Sequence, residues 1–135
     1  MVPCECGLPL SLDCATVQFD HYTITLLILR PDAPAMDDEA ADALQSEHLA
    51  HLADMHDAGF LLAAGPLLGE PDRQFRGLSI WKLPPERVEL IISEHPDPAV
   101  VAGRFSVRVI PWMVPAGALS FAHTFFPRSV ADTQG

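Results

Sequence analysis

The chain has 135 residues, 49% of them hydrophobic, and a formal charge of −10 from 18 acidic against 8 basic side chains. That length predicts one domain, and the shortage of clustered cations argues against a nucleic-acid binder, which must neutralise phosphates. No apolar run reaches the roughly 18 residues of a membrane span, and the N-terminus lacks the basic start of a secretory signal, so a cytoplasmic protein that does not engage a membrane is expected.

Residues 1–20 show no periodicity, contain Pro3, Gly7 and Pro9, and read as an N-terminal extension. Its cysteines, Cys4, Cys6 and Cys14, are odd in number and so make a poor disulfide framework. The spacing could hold a metal only with a fourth ligand, His21 being the nearest histidine, and reduced thiols are the simpler expectation. Tyr22–Leu29 is rich in β-branched and aliphatic residues and is stopped by Arg30-Pro31, which predicts a first strand. Asp37 or Asp38 can then cap a helix over 38–58. Within it Ala41, Leu44, His48, Leu52 and Met55 recur at helical spacing and form one stripe, and Gly59 is suited to end it. Phe60–Leu68 and Gly77–Leu83 predict two more strands, separated by a polar turn region. Glu86–Glu94 predicts a short helix with Val88, Ile91 and Ile92 inward, and His95-Pro96-Asp97-Pro98 forbids its continuation. Gly103–Trp112 predicts a fourth strand with Phe105, Val107 and Val109 on one face.

The order β-α-β-β-α-β is that of a ferredoxin-like α+β fold, a four-stranded antiparallel sheet with two helices on one face. The other face also needs a cover. On the fourth strand it would carry Arg104, Ser106, Arg108 and Ile110, and on the third one face carries Ser79 and Trp81. Such a mixed surface suits a homodimer interface enclosing a small-molecule cavity. The expected domain spans 21–112. The tail, 113–135, holds Phe121, Phe125 and Phe126, too much apolar surface to leave in water, and should pack on the domain or on a partner subunit.

The run His48-Leu49-x2-Leu52-x6-Gly59-x-Leu61-Leu62-x2-Gly65-Pro66, followed by Asp97-Pro98-x4-Gly103, resembles the YciI-like (YCII-related) family over roughly residues 22–112. The resemblance implies a dimeric α+β barrel, related in fold to muconolactone isomerases and small cofactor-independent monooxygenases. It also implies an active site built on a His-Asp pair, here His48 and Asp97. Family members often carry an arginine three residues before the histidine, where this chain has Gln45. One characterised branch dehydrochlorinates a chlorinated hydroxyquinol, while other members look like accessory proteins, so the resemblance fixes fold better than function.

In the catalytic reading His48 is a general acid/base and Asp97 fixes its tautomer and stabilises the imidazolium. No nucleophile accompanies the pair, since there is no G-x-S-x-G elbow and Cys14 lies outside the domain. The pair suits proton abstraction and return, as in isomerisation, elimination or cyclisation of a compact cyclic or aromatic substrate. Arg108 is the candidate anion holder, and Ser79 and Trp81 the candidate cavity lining. The structural alternative makes His48 a packed histidine bonded to a carbonyl and Asp97 a turn residue; the protein would then be a non-catalytic ligand-binding or accessory module. His48 and His51 are spaced for a helical metal pair but lack an acidic partner, and His56-Asp57 reads as an exposed helix end. No phosphate loop, dinucleotide fingerprint or metal motif is present, so chemistry without a cofactor is expected.

Overall fold

A computed structural model describes residues 16–69 and 74–133; the three cysteines and their possible metal site lie outside the described residues. The elements are β1 (Phe19–Leu29), α1 (Asp38–Asp57), β2 (Leu61–Pro66), β3 (Phe75–Trp81), α2 (Pro85–Glu94), α3 (Pro98–Val101) and β4 (Phe105–Pro115), with a 3₁₀ turn at Val130–Asp132. They form one four-stranded antiparallel sheet in the order β2-β3-β1-β4. This is the ferredoxin-like fold.

Local chemistry explains the boundaries. Asp37 caps α1 through its side chain, which accepts from the Ala40 N–H at 2.8 Å, and Asp38 and Glu39 add negative charge to the first turn. Gly59 follows α1 at φ +86°, a conformation a Cβ would strain. β1 and β4 reach further than expected, because Phe19–Tyr22 pair with Trp112–Pro115 in an unbroken register. α3 has no counterpart in the sequence reading: four residues are too few to show a helical period.

Cross-strand partners share a face, so the register sorts every strand residue. Thr23, Thr25 and Leu27 of β1 pair with Trp81, Ser79 and Gly77 of β3, and Thr25 and Leu27 pair with Val109 and Val107 of β4. This row lies beneath the helices. Its core is Leu61, Trp81 and Val88, packed with Leu52, Met55, Ile91, Ile92 and Val109. Thr23 is fully buried and its hydroxyl donates to the Leu83 carbonyl at 2.6 Å, tying β1 to the turn before α2. The opposite row, Ile24, Leu26, Leu78, Ile80, Arg108 and Ile110, forms the face that no helix covers.

Beyond β4 the chain turns at Gly117, whose N–H donates to Asp20, and Phe121 meets Tyr22 edge-on at 5.6 Å. It then crosses to α1, where the Thr124 N–H donates to His56 and Phe126 stacks on the same ring at 4.1 Å. Arg128 bridges Asp54 and Asp57, and the Val130 N–H donates to the Ser46 hydroxyl. The expected exposed end at His56 is a correction: His56 is 5% exposed, because the tail covers it. No described helix is long and apolar enough to cross a membrane.

Candidate functional site

His48 sits mid-way along α1 with its side chain turned inward, and Asp97 is the N-cap of α3. The His48 Nδ1 and the Asp97 Oδ2 are 2.6 Å apart, and the two side chains are 11% and 10% exposed. The other carboxylate oxygen, Oδ1, accepts the Ala99 N–H at 2.8 Å. Asp97 is thus both a capping residue and the histidine's partner, and one rigid turn fixes its carboxylate for both tasks. An ionised carboxylate can only accept, so Nδ1 donates in this contact, and whenever the ring is neutral Nε2 is the nitrogen with the lone pair.

The pair stands between two cavities. His48 lines a cavity of about 480 Å³, walled by α1, by β2 and β3, by the α3–β4 junction and by tail residues Phe126, Pro127, Val130 and Thr133. That volume suits a small ligand. Asp97 lines a pocket of about 40 Å³ with His51, His95 and Trp81, room for about one water. His51 is held below its ordinary pKa by burial, with the nearby Asp97 charge acting the other way. His95, though close by, is exposed.

Ser79 is buried and lines both cavities. Trp81 is 4% exposed, lines the smaller one, and donates its indole N–H to the Thr25 hydroxyl at 2.9 Å. Arg108 is not with them. It pairs with Leu26 on the uncovered face and is exposed, so the sheet separates it from His48. Ser79 and Trp81 lie on the helix-covered face and do not share the uncovered one with Arg108. On β4 Arg108 alternates with Val107 and Val109 as the sequence pattern predicts, and the three candidates are set apart because Ser79 and Trp81 fall on the row of Thr23 and Thr25 beneath the helices.

The arginines of the large cavity are Arg76 and Arg104. Arg104 precedes β4, and its guanidinium lies 5.4 Å over the Phe105 ring. Strand alternation predicts it on the uncovered face with Arg108, and the structure corrects this: β4 begins only at Phe105, so alternation does not fix the direction of residue 104. The tail as a cavity wall was also missed, since no local pattern ties residues 126–133 to α1. Trp112 is 36% exposed and tilts against Tyr22, away from these cavities. Among the described residues no group of three or more His, Cys, Asp or Glu is placed to hold a metal ion.

No family profile matches the sequence, and no curated protein matches it. Several solved structures are similar to it. One is a 5-chloro-2-hydroxyhydroquinone dehydrochlorinase from Burkholderia phenoliruptrix AC1100, in complex with 2,5-dihydroxybenzoquinone. It is 19% identical with a TM-score of 0.47, the match covering 67% of this chain and 92% of that one. Another is a dimeric protein of unknown function and ferredoxin-like fold from Bacteroides fragilis, 17% identical with a TM-score of 0.43, covering 73% of this chain and 100% of that one.

Proposed function

We propose that the protein is a small cofactor-independent cytoplasmic enzyme that moves a proton on a compact cyclic or aromatic substrate, with His48 as general base and acid and Asp97 as its orienter. The observation that carries this reading is the 2.6 Å contact between a histidine on the wall of a 480 Å³ cavity and a carboxylate already fixed as a helix cap. The resemblance of residues 22–112 to the YciI-like family supports it.

The steps follow from the tautomer. Asp97 holds the Nδ1 proton, so Nε2 takes a proton from an acidic ring carbon. The C–H electrons enter the ring as an enolate, and the Asp97 charge stabilises the imidazolium. Return of that proton to a different carbon is an isomerisation. Expulsion of a leaving group with its electron pair is an elimination, after which Nε2 loses its proton to water. Acid-base help of this kind is worth about 10²–10⁴-fold.

The working unit in this reading is a homodimer joined through the uncovered face. Ile24, Leu26, Leu78, Ile80 and Ile110 make a continuous half-buried apolar row there, which favours a covering partner.

The test is carbon–hydrogen exchange. A panel of cyclic ketones, enols and phenols incubated with the protein in deuterated water should include a member that gains deuterium at carbon with the wild type and not with His48→Ala. Exchange that persists in His48→Ala contradicts the assignment. Binding without exchange by any member supports the ligand-binding module instead.

A further inference from the structure

The large cavity holds a cation without a carboxylate partner. Among the described residues the ion pairs join Arg30 to Asp32, Arg128 to Asp54 and Asp57, and His48 to Asp97, and none takes up Arg104. That is notable in a chain where acids outnumber bases 18 to 8. Asp42 lines the same cavity, yet no ion pair joins it to Arg104.

The main chain of Arg104 is also held in place. Its N–H donates to the Ala99 carbonyl at 3.1 Å, and its own carbonyl accepts the Arg30 N–H at 2.9 Å. Gly103, at φ +82°, makes the turn that brings it there from α3. The same four-residue helix therefore carries the dyad carboxylate at its start and this guanidinium just past its end. The ring of Phe105 supports the cation from one side. A guanidinium carried on this fixed main chain and resting over Phe105 offers a fork of donors matched to a carboxylate.

We propose that the cavity takes a compact ring bearing a carboxylate, and that Arg104 holds that carboxylate as the specificity-determining residue. This rests on the cavity being the substrate site, and it names the substrate's charge class. An anion bound at Arg104 keeps the ring within the cavity that His48 lines, and the guanidinium offsets the negative charge that grows when the ring loses a proton.

The experiment compares 2-hydroxybenzoate with 2-hydroxybenzamide, alike in size and differing in charge, by calorimetric titration of the full chain. The acid should bind roughly tenfold or more tightly than the amide, the usual scale of one charge-assisted contact. Arg104→Gln should abolish the difference, Arg104→Lys should keep part of it, and Arg108→Gln should leave it whole. Should Arg104→Gln not fold, salt titration of the wild type decides: affinity for the acid must fall and that for the amide must not. Equal binding of acid and amide, no binding of the acid, or a difference that survives Arg104→Gln overturns the proposal. In His48→Ala the preference for the acid should persist, so failure of the catalytic reading and failure of this one give different results.

Discussion

The two oxygens of Asp97 make different contacts, and under the proposed mechanism this separates catalysis from stability at one residue. Asn caps a helix about as well as Asp, so Asp97→Asn should keep the α3 turn and lose less than about 1 kcal/mol of stability in urea denaturation. The amide cannot hold the Nδ1 proton as a carboxylate does, and activity on an identified substrate should fall by about 10²-fold or more. Asp97→Ala should lose both. His51 gives a pH prediction. Burial lowers its pKa from 6.5, so the folded state resists its protonation. Stability from this group is complete above pH 6.5 and is lost as pH falls from there toward the lowered folded value. His51→Gln should flatten the fall in stability between pH about 7.5 and about 5.5, measured by urea denaturation at each. The inward direction of His48 was legible because it falls within an apolar stripe, whereas its contact with Asp97 was expected only from the family resemblance, since the short α3 that Asp97 caps carries no periodic signal. The direction of Arg104 was not legible, because it is set by the Gly103 turn and not by strand alternation.

At the scale of elements, the tail and α1 make one unit. His56 donates from Nδ1 to the Leu61 carbonyl at 2.7 Å and accepts at Nε2 from the Thr124 N–H at 3.2 Å, so the neutral ring satisfies both. His123 and Phe126 also stack against it. Replacing His56 by Ala leaves two backbone groups without partners, at about 1–3 kcal/mol, and frees the wall of the large cavity. Hydrogen exchange should then speed up at Thr124 and Val130. Arg128→Ala should produce the same local loosening with little change in global stability, because its ion pairs are exposed. The strands and α1 were legible from periodicity, Gly59 and the prolines, although strand ends moved by up to three residues. The α1–tail contacts join residues some 70 positions apart, beyond the reach of any periodic signal.

For the molecule as a whole, one face of the sheet is closed by two helices and the other carries Ile24, Ile80 and Ile110 side by side. The element order alone predicted this asymmetry, since two helices cover only one face of a four-stranded sheet. If a second copy covers that face, light scattering should give twice the chain mass for the wild type and the single chain mass for Ile80→Asp. A monomeric wild type would remove the dimer from the account and leave the dyad untouched, because no residue of the dyad lies on that face.

The central claim is that Asp97 sets His48 as a base toward the cavity, and ring-¹⁵N spectroscopy of His48 tests it most directly. The account predicts a neutral ring protonated at Nδ1 in the wild type, with that preference lost in Asp97→Asn. A ring protonated at Nε2 in the wild type, or one whose tautomer ignores Asp97→Asn, would contradict it and leave His48 a packing residue.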